Sequence, residues 1–216
     1  MNSLPTCVFC RRDTLHGILY ETEHFFLLAD HAPVIEGHIL ILPRTHFACF
    51  GAVPADLDSE LLQLKAQVTG FCRETYRAPI FFEHGVYHQT VFHAHLHAIP
   101  VDSFPEDVAY LAVANGTHVE SQADVRAWYQ THGHYFYLEG RAQDGSPAQA
   151  TVFPPSEPLY RQVLGLLRSQ SHSSGGWQPQ PLRRLSGHPK IRAVESAWER
   201  YLSNRIQLSP HIHKVQ

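Results

Sequence analysis

Three histidines alternate with small or apolar residues in Phe92-His93-Ala94-His95-Leu96-His97-Ala98-Ile99. Along a strand every second side chain points to the same face, so His93, His95 and His97 are expected to line one surface while Ala94, Leu96 and Ala98 enter the core. Near neutral pH an imidazole is a nucleophile, a proton shuttle or a metal ligand, and a strand holds three of them rigidly. A second set of candidate ligands lies near the start of the chain, where Cys7 and Cys10 have the C-x-x-C spacing of a metal site. Cys49 and Cys72 stand apart and read as buried thiols.

Those residues need a scaffold, and the chain offers one. His24–Ala29 and Gly37–Leu42 are dense apolar runs bounded by Pro33, Gly37 and Pro43, the pattern of paired buried strands. From Asp56 to Tyr76, Leu57, Leu61, Leu64, Val68, Phe71 and Cys72 recur at three- and four-residue steps, which predicts one amphipathic helix between Pro54 and Pro79. Ile80–Glu83 and Val91–Ile99 are expected as a strand pair around a turn containing Gly85. Beyond Val101–Pro105 the texture loosens. Ser121-Gln122-Ala123-Asp124 resembles a capping box ahead of a helix, Tyr135–Glu139 and Ala150–Phe153 read as strands, and Leu159–Arg168 reads as a short helix. A last helix is expected near Ile191–Asn204, with Val194, Trp198, Tyr201 and Leu202 on one face, after a Ser/Gly/Pro-rich mobile loop at Ser169–Lys190.

Composition narrows the class. The 216 residues, 44% of them hydrophobic, are enough for one sizeable folded domain or a small domain with an extension. The net charge of −3 argues against a broad nucleic-acid surface and leaves room for a local phosphate pocket. No apolar run approaches the ~18 residues of a membrane span, and Met1–Arg12 lacks a basic region followed by an apolar core, so a cytoplasmic location is expected. Histidine is the outlier, at 17 residues.

His93-Ala94-His95-Leu96-His97-Ala98-Ile99 matches the His-x-His-x-His signature of the histidine triad (HIT) superfamily, and the resemblance extends from about Cys7 to Val101. Phe26–Pro33 and Gly37–His46 resemble its nucleoside-binding strand pair, and His88-Gln89-Thr90-Val91-Phe92 resembles the stretch leading into the triad, with His88 in place of a glycine. Cys7-Val8-Phe9-Cys10 is similar to the zinc-binding start of one branch and of the related hexose-1-phosphate uridylyltransferases. The residues after Val101 loosely resemble the extension of longer relatives such as diadenosine tetraphosphate phosphorylases.

The resemblance implies an α+β fold, with an antiparallel sheet and flanking helices, in which residues 1–103 form the nucleotide-binding catalytic domain and residues 104–216 an α/β extension packed on it. It implies His95 as a nucleophile that forms a nucleotidyl-histidine, His97 as a phosphate contact that assists the leaving group, and His38 as a support for both. Asp30 corresponds to the residue that binds the ribose hydroxyls, and Gln89 and Thr90 to donors for phosphate oxygens. Glu83, also assigned to the substrate, departs from the family's Asn or Gln; at a phosphate site its carboxylate needs compensation from His84 or His88, or it binds a hydroxyl or amine of an unusual leaving group. A structural zinc would take Cys7, Cys10, His46 and His93. The expected activity is hydrolysis of a phosphoanhydride or phosphoramidate bond at a nucleoside α-phosphate, with a nucleotide or dinucleoside polyphosphate as substrate. A nucleotidyltransferase or phosphorylase, and a non-catalytic nucleotide- or RNA-binding module, stand as alternatives. Dimerisation is a tendency of the family that the sequence itself does not show.

Overall fold

The computed structural model describes residues 4–101, 116–140, 148–170 and 180–208. Eight strands form one sheet: β1 (Ile18–Glu21), β2 (Phe25–Ala29), β3 (Ile39–Pro43), β4 (Pro79–Glu83), β5 (Leu96–Pro100), β6 (Thr117–Val119), β7 (Phe136–Gly140) and β8 (Gln149–Phe153). Their spatial order is β1-β2-β3-β5-β4-β7-β8-β6, with every neighbouring pair antiparallel. The helices are α1 (Asp58–Thr75), α2 (Gln122–His132), α3 (Glu157–Gln170) and α4 (Gln180–Leu208). This is an α+β architecture, and the strands of the second half extend the sheet begun by the first.

β2 and β3 are buried at every position, which is why they read as unbroken apolar runs rather than alternating ones. Both faces of the sheet are covered. On the rear face Phe25, Leu27, Ala29, Ile39, Ile41, Leu96 and Ala98 pack with Leu61, Leu64, Val68 and Phe71 of α1 and with Val194, Trp198 and Tyr201 of α4. On the front face the alternate residues form two smaller clusters. Phe26, Leu28, Leu40 and Leu42 sit under Phe9, Leu15 and Ile18, whereas Ile80, Phe82, Ile99 and Phe136 sit under Leu159 and Tyr160 of α3. A cavity remains on the front face between these two clusters.

α2 starts where the sequence expects it, because the Asp124 carboxylate accepts the Ser121 main-chain N–H at 2.9 Å, and it stops at Gly133, whose φ of 74° suits glycine.

Several boundaries differ from the sequence expectation. β5 begins at Leu96, so of the three histidines only His97 lies within a strand, while His93 and His95 occupy the irregular segment leading into it. The alternation nevertheless persists, with Ala94, Leu96 and Ala98 all in the rear core. The β4–β5 connection is a long loop over residues 84–95 rather than a tight turn. The expected loop Ser169–Lys190 contains the end of α3 and the first turns of α4, and its residues 171–179 lie outside the described residues. Pro189 falls inside α4. Strands β1 and β6, of four and three residues, are too short to show a strand period in the sequence.

Candidate active site and cysteine–histidine cluster

The front-face cavity has a volume of about 750 Å³. Leu28 and Leu40 form part of its floor, and Asp30, His38, His95, His97 and Thr90 all line it. Because side chains alternate along β4, Phe82 faces the cavity and Glu83 faces the opposite side.

His95 is held in a defined tautomer. Its Nδ1 lies 2.6 Å from the main-chain oxygen of His93, so Nδ1–H donates and Nε2 carries the lone pair. Burial favours the neutral ring and lowers its pKa, the His93 carbonyl opposing that shift. The result is an unprotonated nitrogen on a fixed ring inside the cavity, the form a nucleophile requires.

His97 stands beside it, with ring centroids 5.0 Å apart. His38 Nε2 lies 2.9 Å from His97 Nδ1, and His38 Nδ1 lies 3.2 Å from Asp30 Oδ2. Because His38 Nδ1 also accepts the Val34 N–H at 3.3 Å, the row along which a proton can move is the His38–His97 pair, with the Asp30 carboxylate beside it. The far end of that row, His97 Nε2, is buried without a hydrogen-bond partner among the described residues. Burial, reinforced by His95, His38 and His84, holds the His97 pKa well below its ordinary value. The other oxygen of Asp30 accepts the Ala32 N–H at 2.8 Å, which fixes the carboxylate at the turn after β2.

Two residues expected at the substrate lie elsewhere. Glu83 is 1% exposed and its carboxylate is taken up by the Phe50 N–H at 2.8 Å and the Tyr135 hydroxyl at 2.5 Å. Burial pushes its pKa up to about 7, with those two donors pulling it down. It is a core carboxyl that ties the turn at Phe50 to the second half, so no phosphate repulsion arises. Gln89 is buried and donates to the Ala48 carbonyl at 3.2 Å, outside the cavity lining. His84 and His88, invoked only as compensating charges, do line the cavity. Arg161 pairs with Glu157 at 3.0 Å on the exposed side of α3.

Sequence reasoning missed Tyr160 of α3 and His188, Arg192 and Glu195 of α4, all of which line the cavity. His188, Arg192 and Glu195 have i, i+4, i+7 spacing, a helical signal hidden by reading Gly187-His188-Pro189 as breakers.

The second cluster lies beside the first. Cys7, Cys10, His46 and His93 offer ligand atoms that all fall within 4.8 Å of one another. His93 Nε2 donates to the Pro43 carbonyl at 2.8 Å, which leaves its Nδ1 lone pair facing both thiols, each 3.6 Å away. His46 Nδ1 lies 3.4 Å from Cys10 Sγ. Zinc bonds of about 2.3 Å to sulfur and about 2.05 Å to nitrogen give a tetrahedral S···N edge of about 3.6 Å. The donor set, the tautomer and the spacing fit such an ion. Cys49 and Cys72 are unlike this pair, since burial pushes both thiols up to about 12.

A family model for the HIT domain matches residues 12–104. An uncharacterised HIT-like protein of Saccharolobus solfataricus is 30% identical over 111 residues, covering 47% of this chain and 78% of its own. Adenosine 5'-monophosphoramidase of Candida albicans is 29% identical over 113 residues, covering 46% of this chain and 73% of its own. Among solved structures, a zinc-bound histidine triad family protein from Mycobacterium smegmatis has 30% identity and a TM-score of 0.40, over 44% of this chain and 74% of that one. By the family-model match and the 30%-identical Saccharolobus solfataricus relative, the chain belongs to the HIT family.

Proposed function

We propose that this protein is a nucleotide hydrolase that cleaves a phosphoramidate or phosphoanhydride bond at a nucleoside α-phosphate through a nucleotidyl-His95 intermediate. The observation that carries this reading is the 2.6 Å contact from His95 Nδ1 to the His93 carbonyl, which presents an unprotonated Nε2 in a cavity shared with Asp30. Family membership supports the reading, and so does the phosphoramidase activity named for the Candida albicans relative.

In the proposed first step the His95 Nε2 lone pair forms an N–P bond and the bond from phosphorus to the leaving group breaks, its electron pair remaining on the leaving atom. With one extra proton on His38, the leaving atom takes a proton from His97 Nε2, and His97 Nδ1 takes one from His38 Nε2. His38 is then neutral, beside the Asp30 carboxylate. In the second step water attacks phosphorus, the N–P bond breaks, and the proton that water loses returns along the same row. Asp30 has a further task at the ribose, where a carboxylate accepts from two neighbouring hydroxyls. Thr90 offers a hydroxyl to a phosphate oxygen.

We further propose a structural zinc on Cys7, Cys10, His46 and His93. Four protein ligands close the shell, so the ion would supply cross-linking of the amino-terminal segment to the core rather than chemistry. Residues 1–103 would then carry the reaction, and residues 104–216 would complete the cavity wall and the rear core.

The test is turnover of adenosine 5'-phosphoramidate. Wild-type protein should release AMP and ammonia, and His95→Asn should lower kcat by at least about 1000-fold, as loss of a nucleophile does. Equal rates for the two would remove His95 from the chemistry.

A further inference from the structure

The cavity continues past His97 into a wing lined by His84, His88 and Tyr160. The His84 ring lies 6.0 Å from that of His97 and 6.0 Å from that of Tyr160. His88 and Tyr160 are stacked, with centroids 4.6 Å apart and planes at 19°, and Tyr160 is in turn near-parallel to Phe136 at 6.3 Å. Starting from the Asp30 end, the order is therefore Asp30, His38, His97, His84, Tyr160, His88, with the reacting nitrogen of the proposed mechanism near the middle.

The wing is built rather than incidental. His88 adopts φ 54° and the β-branched Val86 adopts φ 85°, a conformation that costs energy and persists only when its surroundings impose it. Those surroundings come from the second half of the chain. Tyr135 N–H donates to the Gly85 carbonyl at 3.1 Å, Val86 bridges to Tyr135, and His88 Nε2 lies 3.3 Å from Glu157 Oε2 of α3. A Cβ on Gly85 would meet the Tyr135 carbonyl oxygen at 2.3 Å, so only glycine permits this approach. The segment that presents Tyr160 lies outside the residues matched by the HIT domain model.

Among the described residues its chemistry is aromatic and lacks a fixed positive charge. Among the described residues, the one lysine or arginine lining the cavity is Arg192, which belongs to α4. That helix packs its Ile191 beside Gly17 and Ala29, next to Asp30 at the other end. Burial, followed by the influence of His95, lowers His84 to about 4, so its ring is neutral at physiological pH. A polyphosphate leaving group carries several negative charges and, among the described residues, would find no guanidinium or ammonium here, whereas an aromatic ring can pack edge-on against the rims of the stacked His88–Tyr160 pair.

We propose that His88 and Tyr160 form the leaving-group subsite and that it selects substrates whose departing amine carries a planar aromatic ring. The inference rests on the proposed reaction at His95. In that reaction the P–N bond breaks, its pair stays on the amine nitrogen, and one added proton releases the free amine.

The experiment compares two adenosine 5'-phosphoramidates whose leaving amines have similar basicity, 2-phenylethylamine and hexylamine. Wild-type protein should favour the phenylethyl compound in kcat/KM by roughly 3- to 10-fold, the range of aromatic pairing beyond area burial. Tyr160→Leu should bring that ratio close to one, and Tyr160→Phe should restore it, since the aromatic contact needs the ring and not the hydroxyl. Calorimetric Kd values for both compounds on His95→Asn, with and without Tyr160→Leu, provide a readout independent of turnover. Equal kcat/KM and equal Kd for the two compounds would overturn the subsite. Absence of turnover with a binding preference that Tyr160→Leu abolishes would overturn the proposed reaction and keep the subsite, and absence of binding would overturn both.

Discussion

His93 holds two parts of the site at once: its ring nitrogens lie between the Pro43 carbonyl and the thiols of Cys7 and Cys10, while its own carbonyl accepts the Nδ1–H of His95 at 2.6 Å. The first histidine of the triad thus anchors the second through the main chain. Anything that frees the His93 ring should also loosen the proposed nucleophile, His95.

Metal loss should therefore affect both stability and rate. Purified protein is expected to contain about one zinc per chain, and Cys10→Ser much less, by elemental analysis. Loss of about 3 kcal/mol would lower Tm by roughly 6–12 °C for a chain of this size, with a parallel fall in kcat. A fully active, zinc-free wild-type protein would contradict the coupling.

His38 is expected to act through His97 rather than on the substrate directly. His38→Ala should lower kcat by roughly 10²-fold, the lower end of acid–base contributions, with KM changed less than kcat. A rise in KM at constant kcat would place His38 in substrate binding instead.

Glu83 gives stability a pH dependence of definite sign. Its native pKa is raised to about 7 from 4.5, so between those values the native state binds more protons than the unfolded one. The stabilisation is present in full below about pH 4.5 and is lost as pH rises through about 7, amounting to about 3 kcal/mol in all. Urea midpoints for wild type should therefore fall between pH 5 and pH 8 more than those of Glu83→Gln. Superimposable pH profiles would show that the carboxyl is ionised throughout.

The contribution of α4 to the fold is testable through Trp198, which is 1% exposed and packs on Phe71, with ring centroids 4.9 Å apart. Trp198→Ala should destabilise the protein by about 3–5 kcal/mol, as truncation of a large buried aromatic does. A loss below about 1 kcal/mol, the ordinary effect of a surface substitution, would mean that α4 is not part of the core.

How much of this was legible follows from which signals are local. The triad spacing, the apolar runs of β2 and β3, the period of α1 and the Ser121–Asp124 cap are all encoded within a few residues, and each appears where the sequence puts it. Placing Glu83 required the phase of a strand, and a one-residue difference in phase separates the cavity from the core. Tyr160, Arg192 and His188 reach the cavity only through tertiary packing of α3 and α4, and no short-range pattern announces that. Pro189 obscured α4 because proline ordinarily argues against a helix interior.

The most direct measurement is intact-mass analysis of the protein after brief mixing with adenosine 5'-phosphoramidate, without acid, alongside release of AMP followed over time. The account predicts a transient adenylyl mass increment on wild type, located at His95 by fragmentation and absent from His95→Asn. Steady AMP release by His95→Asn at the wild-type rate, or an adenylyl group found on another residue, would contradict it.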